Sequence, residues 1–221
     1  MKLTVVAATG GVGRAVLAQA LAAGHDVTAV VRDPSRLDRA VRSVAVDLTE
    51  PVAEPLIAAV AGADAVVSCI GPRGKAETGI VSAGTARLIA AMQAAGSRRI
   101  VAIAGIGLST VRSPNRARPL RREPGAGAVM NLVTLPLVRA VLGQHMSDVA
   151  AAEEQLAASG LDWTSVRAPY LSDGPLTGAY QVAYGTSLPR AFRLSRADAA
   201  HCMLRSVTDP RASRTHLTAA N

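Results

Sequence analysis

Five residues, Thr9-Gly10-Gly11-Val12-Gly13, follow an unbroken apolar run and precede a helical pattern. At such a junction the helix N-terminus presents unpaired N–H groups and the positive end of its dipole, a seat for a pyrophosphate. Gly10 permits the tight turn, and Gly13 lets helix and strand approach closely. A plain strand-to-helix turn has the same composition; the order strand, turn, helix, strand is what points to a dinucleotide. At the end of the second strand an acid would accept from a ribose 2′-OH, whereas an arginine accommodates a 2′-phosphate. Arg32 stands there with Arg36 nearby, which favours NADP over NAD. Asp33 is the alternative ribose acid, although Asp33-Pro34 reads equally well as a turn. Asp47 and Leu48 follow the third strand and are expected beside the adenine, unless Asp47 is a solvated loop acid. Ser68, Cys69, Ile70 and Gly71 end the fourth strand, where open α/β sheets place their ligands, and cofactor contact is expected of them.

The remaining reactive side chains exclude more than they suggest. Cys69 and Cys202 lie far apart without CxxC spacing and read as small buried hydrophobes. The 4 histidines, at 25, 145, 201 and 216, lack metal-ligand spacing, so no metal is expected. The net charge of +8 is nearly all arginine, since only Lys2 and Lys75 are lysines. It is scattered except for Arg112, Arg116, Arg118, Arg121 and Arg122, and no aromatic residue interleaves with that cluster. Base stacking on a nucleic acid is therefore unsupported, and an anionic small molecule fits the charge better.

These residues need elements to position them. Aromatics are only 2% of the chain, so the core must be aliphatic. LTVVAA, DVTAVVR, SVAVDL, ADAVVSCIG and RRIVAIAG read as five strands, with helical patterns after the first, third and fourth, the last of these running from Thr78 to Ala95. That alternation implies a parallel sheet covered by helices on both faces, an α/β doubly wound layer. Residues 109–127 are rich in Pro, Gly and Arg and read as a long loop or lid. Helical text resumes at Ala128 with Pro136 as an expected break, LDWTSVRA is a sixth strand, and AYQVAY a short strand in a small C-terminal substrate flap. SRAD, Ser195 to Asp198, reads as a capping box that opens a last helix. No linker divides residues 1–221, so one domain is expected. No apolar run reaches the roughly 18 residues of a membrane span, and the opening MKLTVVAATGGVG lacks a signal peptide's cleavage site. A cytoplasmic chain without a membrane partner is expected.

AATGGVGRAVLAQALAAGHDVTAVVRDPSRL resembles the opening of the atypical short-chain dehydrogenases with an NAD(P)H-binding domain, the NmrA-like group. Their motif usually reads GATGxxG, and Ala7 stands here in the first Gly slot. SGLDWTSVRAPYLSDGPLTGAY and HCMLR resemble the biliverdin reductase B type of NADPH-dependent flavin reductase. The resemblance spans most of the chain apart from 109–144, and it implies a Rossmann-type oxidoreductase, monomeric or homodimeric. It places Ala168, Pro169, Tyr170 and Leu171 in the loop against the nicotinamide. It expects a Ser or Thr after the fifth strand, where Ala104 and Gly105 stand; Ser109 could substitute only if its loop folds back.

The resemblance also locates a Tyr-Lys pair, and its two slots read His145 and Val149 in HMSDV. In that pair the ammonium lowers the phenol's pKa, which Val149 cannot do. His145 titrates near neutrality unaided and is a candidate proton donor, with an ordinary helix histidine as the alternative. Tyr170 is the second candidate, with packing over the ring as its alternative. Alcohol and ketone chemistry is thereby disfavoured. Hydride transfer to a planar conjugated acceptor, aromatic or anionic, makes weaker demands, because orientation carries much of it and solvent can supply the proton. A non-catalytic NADP sensor and a reductase or isomerase for one specific metabolite are the competing expectations.

Overall fold

Leu3, Thr4, Val5 and Val6 of β1 (Lys2–Val6) are each no more than 2% exposed, as a strand walled by helices on both faces requires. The computed structural model describes residues 1–72 and 77–221. After β1 come α1 (Gly11–Ala22), β2 (Asp26–Val31), β3 (Arg42–Ala45), α2 (Glu54–Val60), β4 (Ala65–Ser68), α3 (Ile80–Ala95) and β5 (Arg99–Gly105). Then follow α4 (Leu135–Ala158), β6 (Asp162–Ala168), β7 (Tyr170–Ser172), β8 (Gln181–Tyr184), β9 (Arg193–Ser195), α5 (Arg196–Ser206) and β10 (Thr215–Ala220).

Eight strands form one sheet in the order β3-β2-β1-β4-β5-β6-β10-β8, parallel except for β8. The winding reverses between β1 and β4, so a crevice opens there beyond the strands' carboxyl ends. Side chains alternate between two cores. Leu3 and Val5 join Leu17, Leu194 and Met203 on one face; Val6 joins Leu88, Met92, Ile100 and Leu156 on the other. The buried Thr4 hydroxyl donates to the Ala59 carbonyl at 2.6 Å, which removes the cost of burying it.

Three elements differ from their sequence pattern. QVAY does not stand in a flap: β8 pairs antiparallel with β10 at the sheet edge. What stands apart is the two-stranded ribbon β7–β9. Pro136 does not break the helix either, because a π-helical turn, Met130–Thr134, precedes it and absorbs the missing N–H; the bend falls at Leu142 (φ −118°, ψ 18°). The capping box of α5 forms by half. Ser195 Oγ accepts from Asp198 N at 2.9 Å, but the Asp198 carboxylate is taken by the backbone N–H groups of Thr177 and Gly178.

Residues 109–127 are mostly irregular but tied to the core by Glu123, 3% exposed, whose carboxylate accepts from Arg167 Nη1 at 2.8 Å. Arg167, on β6 and equally buried, also pairs with Glu153 of α4. Burial works against all three charges. For Glu153 the Arg167 contacts prevail and lower its pKa, while burial prevails at Glu123 and raises it.

Candidate functional site

The β1–α1 turn is built around one backbone approach. A Cβ on Gly13 would stand 2.2 Å from the Ala7 carbonyl oxygen, so only glycine fits. Ala7, in the first Gly slot of the motif, holds φ at +58°, a left-handed conformation that costs a residue with a Cβ about 1 kcal/mol or more. Gly10 is the N-cap of α1 and offers no side chain, so the N–H groups of Gly11, Val12 and Gly13 open the helix without a side-chain cap. Glycines where a Cβ would collide and donors left open together fit a dinucleotide's pyrophosphate.

Arg32 follows β2, and its Nη2 bonds Glu77 Oε1 at 2.8 Å across the crevice. Asp33 caps the Pro34–Arg36 turn, accepting from Ser35 N at 3.0 Å and Ser35 Oγ at 2.6 Å. Asp47 likewise serves its own turn, where its carboxylate accepts from Thr49 N and Oγ1, which lowers its pKa. Leu48 is buried against Gly84 of α3. Ser68, Cys69 and Ile70 are buried, while Gly71 is exposed at the crevice. Burial pushes the Cys69 thiol up to about 12, so it packs rather than reacts.

At the other end, Ala104 and Gly105 pair in register with Arg167 and Ala168. Pro169 leads into Tyr170, whose side chain is unsheltered at 75% exposure, with Leu171 half-buried behind it. Ser109 does not reach in as a free hydroxyl, because its Oγ bonds Glu123 Oε1 at 3.2 Å. Val149 is buried in a cluster with Ile70, Ala102 and Met146, and Ser68, Ala104 and Glu153 line the same small cavity. His145 is half-buried three residues past the bend, and burial lowers its pKa against the raising effect of Asp148. Among the described residues no cluster of His, Cys, Asp and Glu could hold a metal. No helix there is long and apolar enough to cross a membrane.

A family model for NAD(P)H-binding domains matches residues 7–210, from the turn through α5. The chain belongs to the NAD(P)H-binding family. A 3-diazoavenalumate denitrifying reductase of Streptomyces is 36% identical over 114 residues, covering 46% of this chain and 37% of its own. The chain thus spans just over a third of that relative. A Burkholderia pseudomallei structure, named as a candidate exported protein, is 27% identical with TM-score 0.74 and 100% of each chain covered. A Veillonella parvula short-chain dehydrogenase/reductase in complex with NADP is 17% identical with TM-score 0.76, covering 100% of this chain and 94% of its own. That last likeness speaks for the fold alone.

Within this NAD(P)H-binding chain, two residues of consequence escaped the sequence pattern. Asp148, inside HMSDV and 8% exposed, caps another helix: its carboxylate accepts from Val81 N and Ser82 N of α3, each at 3.0 Å. An acid beside the apolar positions of a helical pattern was its only signal. Arg196 lies against Gly11 across the cradle, and nothing in the local sequence announces that contact.

Proposed function

We propose that this chain is an NADPH-dependent reductase of a planar, conjugated, electron-poor acceptor such as a flavin, quinone, tetrapyrrole or related metabolite. The observation that carries the reading is an open phosphate cradle together with a buried valine, Val149, in the slot where the resemblance places a lysine. Val149 is buried with Ile70 and Ala102, where carbonyl reduction would call for an ammonium. Bound NADPH would supply the hydride. The N–H groups of Gly11 to Gly13 would hold its pyrophosphate, and Arg32 its 2′-phosphate in exchange for Glu77. Ala104, Gly105, Pro169 and Leu171 would bound the nicotinamide, and the exposed Tyr170 would close over the acceptor. A conjugated acceptor spreads the incoming charge and takes its proton from water. His145, its pKa lowered, is neutral at pH 7 and a poor donor there.

The likeness of SGLDWTSVRAPYLSDGPLTGAY to flavin reductases supports this acceptor class, as does a relative named as a reductase of a diazo compound. The reading is for a cytoplasmic monomer or homodimer acting on a small molecule, with no nucleic-acid or membrane partner. A non-catalytic NADP sensor is the second reading, favoured by the same apolar Val149. Anaerobic NADPH oxidation with FMN, menadione and biliverdin, beside calorimetric NADPH binding, separates them. Turnover of one acceptor supports the reductase, and tight binding with no turnover of any favours the sensor.

A further inference from the structure

Gly11 has no conformational need to be glycine. It opens α1 in helical conformation, and its position is unspecified in the GATGxxG motif. What its missing side chain admits is Arg196: an added Cβ would stand 2.7 Å from both Cδ and Nε of that residue. The three atoms nearest that point all belong to Arg196.

The ribbon delivers this arginine. Pairing of Tyr170 with Arg193, Leu171 with Leu194 and Ser172 with Ser195 sets Asp173 and Arg196 at the same end, where Arg196 Nη1 bonds Asp173 Oδ1. Asp173 is 90% exposed and Arg196 33%. The bond occupies one nitrogen, and Nε and Nη2 have no protein partner among the described residues. The guanidinium thus stands over the positive end of the α1 dipole, where the first turn holds no acidic side chain, a place that favours an anion beside it. A solvated aspartate answers only part of that charge.

We infer that Arg196 is a dinucleotide-phosphate ligand contributed by the C-terminal segment, its Nε–Nη2 edge closing the pyrophosphate site from above Gly11. Asp173 is a positioning residue that holds the other edge. The inference rests on the proposed cofactor reading. A planar fork matches two phosphate oxygens, and the flanking β7 carries Tyr170, so phosphate binding and closure over the acceptor share one ribbon.

Calorimetric titration of the full chain with NADPH and with NADH provides the test. Arg196→Gln is expected to weaken both by about tenfold, as loss of a charge-assisted phosphate contact does. Arg196→Lys, keeping the charge but not the fork, is expected to fall between. Gly11→Ala, which pushes Arg196 aside, is expected to weaken binding in the native background and to add little to Arg196→Gln. Melting curves confirm that the variants fold. Unchanged affinities for Arg196→Gln, or additive effects of the two substitutions, overturn the inference and leave the cofactor reading standing. Failure of the native chain to bind either dinucleotide overturns both.

Discussion

The carbonyl oxygen of Ala7 occupies the space where a side chain on residue 13 would begin, 2.2 Å from the position of a Cβ on Gly13. One contact fixes how closely α1 approaches β1, and through it the aim of the N–H groups that open the crevice. The approach also draws on strain at Ala7, whose φ is +58°.

Gly13→Ala is expected to cost at least about 3 kcal/mol and to abolish dinucleotide binding, since the obstructing atom is backbone and cannot rotate away. Ala7→Gly should do the reverse. Relief of the left-handed conformation outweighs glycine's greater unfolded-state entropy, for a net gain of roughly 0.5 kcal/mol. Urea unfolding measures both.

Arg32→Ala should weaken NADPH by about tenfold or more while changing NADH little, because only the former carries the 2′-phosphate. Glu77→Gln should strengthen NADPH, as the carboxylate 2.8 Å from Arg32 Nη2 no longer competes for the guanidinium. Equal losses for both dinucleotides in Arg32→Ala would remove the phosphate role.

Asp148→Ala should destabilise the fold by about 2 kcal/mol, the sum of a lost helix cap and buried N–H groups left unpaired. Asp148→Asn, which can still accept, should cost less. A thermal shift for the alanine variant no larger than for an exposed control would contradict the cap.

His216 of β10 is held neutral by burial and by the Arg167 charge, which bring its pKa down to about 4, with Glu153 opposing. Between that value and the unfolded one, the unfolded chain binds a proton at this histidine that the folded chain does not. Its contribution is therefore complete above about pH 6.5 and is lost as pH falls from there towards 4. Discounted for partial exposure, the loss is about 2 kcal/mol, and His216→Gln should flatten that part of the stability profile. Glu153, its pKa lowered, adds a further decline only below its unfolded value of 4.5.

His145→Ala should change turnover at pH 7 by less than about threefold, against the roughly 10²-fold or more that removal of a general acid costs. Its lowered pKa leaves little imidazolium at that pH. A large loss that grows as pH falls would instead make His145 the proton donor.

The sheet and its cradle were legible in the residue order because they depend on local rules. A buried parallel strand reads as an apolar run, a helix as a 3.6-residue period, and a phosphate turn as glycines between them. The β strands up to β6 and the glycine turn TGGVG are of this kind. HMSDV yielded less: nothing in its text gave the helix that Asp148 caps 66 residues away in sequence.

Only the tertiary structure decided the rest, since it depends on partners remote in the chain. Glu123 meets Arg167 across 44 residues, β8 and β10 join an edge that no period announces, and Arg196 reaches a glycine near the other end of the sequence. Ion pairs and close approaches are set by where backbones cross, and a one-dimensional pattern carries the residue types for such contacts without their distances.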